Sequence, residues 1–147
     1  MRGLVRLSVL AALCAFGAAA APRPATLDVD IAPMMMDREV RFGDVQAVCT
    51  GVGDTRTDPK WATYPIRVEF SDAKDEYVTD ALVTLVNSKS GAALMVRCDG
   101  PWLLLQPPAG AYAVYAQLMD SQAKPRSARF SVPVRGQRRV VLQFPDA

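Results

Sequence analysis

The chain has 147 residues, 50% of them apolar and 22% charged. That suits one packed domain and excludes disordered, collagenous and multi-pass membrane classes. Histidine is absent, which rules out Ser-His-Asp triads, Cys-His dyads and His-containing zinc or copper sites.

Arg2 and Arg6 precede an apolar run over 7–16 whose only polar members are Ser8 and Cys14, and Gly17 and the alanines at 18–21 close it. This order of basic, apolar and small-residue regions predicts a secretory signal peptide. The apolar stretch is 15 residues long before Pro22 and Arg23, short of the roughly 20 that a spanning helix needs. Cleavage after Ala20 fits best, because a cut one residue later would leave Pro22 at the new N-terminus. A lipoprotein signal, with Cys14 acylated, is disfavoured because Ala11-Ala12-Leu13 has the small and leucine-like positions in the wrong order. The expectation is therefore a soluble periplasmic or secreted protein with no stable membrane insertion.

Removing residues 1–20 takes Arg2 and Arg6 and no acid, leaving 15 basic and 15 acidic residues. No global field remains to favour nucleic acid or a membrane surface. Two cysteines also remain, Cys49 and Cys98, in an oxidising compartment where a pair is expected to form a disulfide. Two separate buried thiols are the alternative, because spacing alone does not place the α-carbons within bonding range.

Residues 21–49 form an N-terminal segment. Leu27, Val29 and Ile31, and then Val40 and Phe42, alternate with polar residues, so one or two edge strands are expected there. Asp58-Pro59 has the order of a helix cap and first residue, limited to a turn or two by Pro65. Tyr64, Ile66, Val68 and Phe70 alternate with Pro65, Arg67 and Glu69, a period of two that predicts a half-buried strand. Residues 81–86 are apolar on both faces, as in a central strand. A turn at 87–91 leads to a short strand over 93–96. Further strands are predicted at 102–105, from Tyr112 to Leu118, around Phe130 and Val132, and from Val140 to Phe144. About seven short strands over 50–147, with turn formers between them, predict an all-β antiparallel sandwich.

Within this pattern, the run from Asp99-Gly100-Pro101-Trp102 to Pro107-Pro108-Ala109-Gly110-Ala111-Tyr112-Ala113-Val114 resembles a segment of carboxypeptidase regulatory-like domains. These have a prealbumin-like (transthyretin-like) sandwich. Gly51-Val52-Gly53, the Tyr64 to Phe70 strand and Tyr77-Val78-Thr79-Asp80-Ala81-Leu82-Val83 extend the likeness to small exported bacterial proteins of that type. It covers about residues 50–145. It implies the fold and a structural, adhesive or accessory role, with no shared catalytic set. A histidine-dependent purine-ring hydrolase exists in one branch of the wider fold, and the lack of histidine argues against that activity here. Trp102, Tyr112 and Val114 are expected in the core.

Other residues suggest chemistry less specifically. Met34-Met35-Met36, with Met95 or Met119, would offer soft ligands to Cu(I), yet successive strand residues point to opposite faces and would not converge. The acids Glu69, Asp72, Asp75, Glu76 and Asp80 lack the dense ligand order of a calcium loop and read as a solvated turn. Arg129, Arg135, Arg138 and Arg139 form a candidate basic patch, or simply outward charges that protect strand edges. Trp61 and Tyr115 are candidate ligand contacts, Trp61 the better one for stacking on a sugar. No serine lies in a nucleophile motif. The expected function is a noncatalytic accessory or protein-interaction module of the bacterial envelope, with no cofactor. A glycan or cell-wall binding module and a soft-metal binder are the alternatives. The expected partner is accordingly an envelope protein or a cell-wall polymer.

Overall fold

Alternation along each strand sorts its side chains between a shared interior and the outside, and two sheets result. The computed structural model describes residue 31 and residues 33–147. The expected signal peptide (1–20) and most of the Leu27–Ile31 alternation lie outside the described residues. Among the described residues, nine strands run in chain order: β1 (Glu39–Phe42), β2 (Val45–Thr50), β3 (Ile66–Asp72), β4 (Ala81–Asn87), β5 (Ala93–Cys98), β6 (Trp102–Gln106), β7 (Ala111–Leu118), β8 (Arg126–Ser131) and β9 (Arg138–Phe144). One sheet has the order β1-β2-β6-β3-β9, the other β5-β4-β7-β8.

The interior is built from the inward set of each strand. Ile66, Val68 and Phe70 of β3 and Val140, Leu142 and Phe144 of β9 face Val83 and Leu85 of β4 and Val114 and Ala116 of β7. Stacking the two sheets removes these apolar faces from water, which is the main favourable term in such a sandwich. Among the described residues no helix is long and apolar enough to cross a membrane.

Four sequence expectations are revised. β2 lies inside its sheet, paired to both β1 and β6, so residues 39–50 supply an interior strand and not only edge strands. β3 and β9 pair in parallel, Val68 opposite Val140, so the sandwich is not wholly antiparallel. Trp102 is buried on the outer side of the five-stranded sheet and is not part of the core between the sheets. Glu69 is buried rather than part of a solvated acidic turn.

Cys49 on β2 and Cys98 on β5 form the expected disulfide, with their α-carbons 5.4 Å apart. It ties the two sheets together at one edge. The segment before β1 laces the same edge. Met34 N donates to Arg97 O on β5 at 2.9 Å, and Asp37 N donates to Cys49 O on β2 at 2.8 Å. Alternation also separates the methionine run. Met34 enters the core, Met35 is exposed, and the Met36 sulfur lies 3.5 Å from Cys49 Sγ.

Candidate functional site

Each sheet has an outer face, and the two are finished differently. On the five-stranded sheet, two short 3-10 segments, Gly53–Thr57 and Pro59–Thr63, cover one half. Asp58 caps the second, its Oδ1 accepting from Lys60 N at 3.0 Å, and this bond holds its carboxyl below the ordinary value of 3.8. The cap delivers Trp61 and Tyr64 onto Val48 and Leu104, which form a small second core. Trp61 Nε1 donates to Thr55 O at 2.7 Å, and Tyr64 Oη donates to Glu39 Oε1 at 2.8 Å. Burial, then the bond to Glu39, raises the Tyr64 phenol well above its ordinary value. The Gln137 amide donates to the carbonyls of both Trp61 and Tyr64.

The other half of that face is closed by charged and aromatic side chains. Glu69 on β3 is 1% exposed. Arg139 Nη2 lies 2.6 Å from its Oε2 and Arg67 Nε 2.8 Å from its Oε1. The Arg67 contact is out of line for a hydrogen bond, so it acts mainly through charge. Pairing with Glu69 raises the Arg139 guanidinium above its ordinary value. Trp102, opposite Glu69 on β6, is covered by Arg67 at 4.6 Å and Arg56 at 5.7 Å from its ring centre, with Tyr77 edge-on at 5.9 Å. Cation–π contacts therefore cover the Trp102 ring from within the chain, while its Nε1 is buried without a hydrogen-bond partner among the described residues.

Among the described residues, the four-stranded sheet has no such cover. Thr84 on β4 sits opposite Met95 on β5 and Tyr115 on β7, and Tyr115 sits opposite Ser127 on β8. One row across the sheet thus reads Met95, Thr84, Tyr115, Ser127, all on the outer side. Tyr115 is 47% exposed and Met95 45%. Arg129 faces out from β8 opposite Ala113, diagonally next to Tyr115. At the border, Arg97 donates through Nε and Nη2 to the two Asp80 carboxylate oxygens at 2.7 and 3.0 Å. These bonds raise the Arg97 guanidinium above its ordinary value.

The candidate residues read from the sequence are therefore not gathered in one place. Trp61 is 3% exposed, with its indole bonded internally, and offers no free ring face for stacking. Tyr115 does, on the opposite sheet. The four arginines of the expected basic patch also separate. Arg139 serves Glu69, Arg135 is exposed in the turn before β9, and Arg129 and Arg138 line one cleft. Sequence reasoning missed Met95 as a surface residue and the Glu69–Arg139 pair. Met95 was legible as an outward position of β5, since Val96 and Cys98 point inward. Glu69 was legible only as polar, because long side chains from neighbouring strands bury it.

Among the described residues, no group of three acidic or cysteine side chains is placed to hold a metal ion. Asp72 is occupied in its own turn, accepting from Lys74 N and Glu76 N, and Asp80 holds Arg97. The outer face of the four-stranded sheet thus presents an aromatic ring, a thioether and a guanidinium, from Tyr115, Met95 and Arg129. No protein-family model matches the chain, and a comparison with curated proteins finds no match.

Proposed function

We propose that this chain is an exported, noncatalytic interaction module of the bacterial envelope, and that it binds a protein partner through the outer face of its four-stranded sheet. One observation carries the reading: Met95 and Tyr115 stand half exposed in a single register row, either side of Thr84, whereas the opposite sheet buries its aromatic residues Trp61, Tyr64 and Trp102 and leaves Val141 exposed. Exposed apolar groups in one patch mark association surfaces. Tyrosine, methionine and arginine are the types enriched at protein interfaces, and Tyr115, Met95 and Arg129 supply them together.

Export rests on the basic, apolar and small-residue order of 1–20, and the disulfide is compatible with an oxidising compartment. The likeness to carboxypeptidase regulatory-like domains supports an accessory role, since such domains commonly lack chemistry of their own.

The test places a photo-crosslinking residue at position 115 of the full chain, and in a control at Val141, which is exposed on the other sheet. Each is irradiated with a cell-envelope fraction. A discrete protein adduct from position 115, displaced by excess unlabelled chain and absent from position 141, supports the reading. Equal adducts from both positions overturn it. Tyr115-dependent sedimentation with purified wall polymer, without a protein adduct, would move the assignment to the glycan-binding alternative.

A further inference from the structure

The outer face continues past Arg129 into a cleft of about 380 Å³ whose lining includes Ser88, Ala111, Arg129, Ser131 and Arg138. Register explains the assembly. Ala111 sits opposite Ser131, and Ser88 N donates to Ala111 O at 2.9 Å, which brings the ends of β4, β7 and β8 together. Arg138 comes from the other sheet, as the first residue of β9, after the chain turns the corner from β8.

Charge sets this cleft apart. Arg67 and Arg139 pair with Glu69, Arg97 with Asp80 and Asp99, and Arg126 with Asp146. Neither Arg129 nor Arg138 has an ion-pair partner among the described residues, and no carboxylate lines the cleft. Two arginines that line one cleft with no acid in its lining leave its positive charge uncompensated there, and an incoming oxyanion would compensate it. The planar fork of arginine matches a carboxylate bidentately, and serine hydroxyls donate to the remaining lone pairs.

We infer that this cleft binds a carboxylate side chain of an acidic protein segment that lies across the Tyr115 face. The inference rests on the proposed protein-binding reading and names the chemistry of the partner. A peptide is favoured over a phosphate polymer because the same surface presents Met95 and Tyr115. A ligand that covers both regions must offer apolar groups beside its acid, which phosphate polymers lack.

The test measures anisotropy of a labelled short peptide alternating glutamate and leucine, against the same peptide with glutamine. The wild-type chain should bind the glutamate form more tightly. Arg129→Ala and Arg138→Ala should each weaken it roughly tenfold, the scale of one lost charge-assisted bidentate contact. Arg129→Lys should recover only part, because the charge remains and the fork is lost. Arg135→Ala, exposed nearby and outside the cleft, should change nothing. Equal weakening by all three alanine variants would reduce the effect to a diffuse basic field and overturn the site. Cleft-dependent binding of inorganic polyphosphate, with none of the glutamate peptide, would overturn the ligand class. Cleft binding that survives without any adduct at position 115 would instead sink only the broader surface reading. The two arginines are exposed, so unchanged thermal unfolding of the variants separates lost binding from lost folding.

Discussion

Arg139 crosses from β9 to place Nη2 2.6 Å from Oε2 of Glu69, a carboxylate buried on β3. The two strands are parallel, with Arg139 opposite Arg67, so two guanidiniums flank one acid from adjacent strands. Breaking a fully buried pair costs about 3–5 kcal/mol, mostly as uncompensated charge. Here Arg139 is 58% exposed and Arg67 stays behind, so solvent screening reduces the loss.

Arg139→Ala is therefore expected to destabilise the fold by about 1–2 kcal/mol. Arg129→Ala, which breaks no ion pair among the described residues, should stay within about 0.5 kcal/mol of the wild type. Urea unfolding of both variants at neutral pH measures the difference. Equal stabilities would mean that the charge of Arg67 alone suffices to hold Glu69.

The contrast between these two arginines shows what the sequence could and could not yield. Alternation placed both on outward faces, and that was right. It carried no information about which strands adjoin, and the parallel β3–β9 pair is what turns Arg139 from a surface charge into the partner of a buried acid. β2 was missed for a related reason. Ala47 and Cys49 enter the core while Val48 and Thr50 are buried on the other side, so the strand is covered on both faces and only Gln46 and Thr50 mark its outer side in the sequence. By contrast, β3, β7 and β9 were legible because only one of their faces is strongly apolar. Trp61 looked free because it lies outside any strand, and only the capped turn at Asp58 reveals that it packs down onto Leu104.

The disulfide should contribute substantially to stability. Cys49 and Cys98 are 49 residues apart, and closing a loop of that length restricts the unfolded chain by about 4 kcal/mol on the chain-entropy model. Cys49→Ala with Cys98→Ala should lower stability by a comparable amount, with some further loss of packing against Met36. Unfolding with and without reductant gives the number. A loss below about 1 kcal/mol would show that the lacing of residues 33–37 already holds this edge.

Gly51 has φ +101°, and a Cβ there would lie 2.8 Å from Trp102 Cγ. Gly136 also has positive φ, at +75°, but a Cβ there meets nothing within 4 Å. Gly51→Ala should therefore cost about 2–4 kcal/mol, combining backbone strain with a clash that displaces the indole. Gly136→Ala should show backbone strain alone, about 1 kcal/mol. Near-ultraviolet circular dichroism would report the movement of Trp102 in the first variant only. Matching losses in both would mean that the indole yields without cost.

Alkaline pH should act through Tyr64. Burial and the bond to Glu39 raise its phenol above the ordinary 10.0, so the folded protein keeps a proton that the unfolded chain releases. The sign follows from linkage: this contribution is complete below pH 10.0 and declines as pH rises through the window between the unfolded and folded values. Tyr64→Phe removes the hydroxyl and its bond to Glu39, and should cost about 1 kcal/mol at neutral pH. The gap between wild type and variant should then shrink as the solution becomes strongly alkaline, because only the wild type has a phenolic proton to lose on unfolding. Paired denaturant curves across that range measure it. A gap that stays constant would mean that the Tyr64 phenol ionises alike in the folded and unfolded chain.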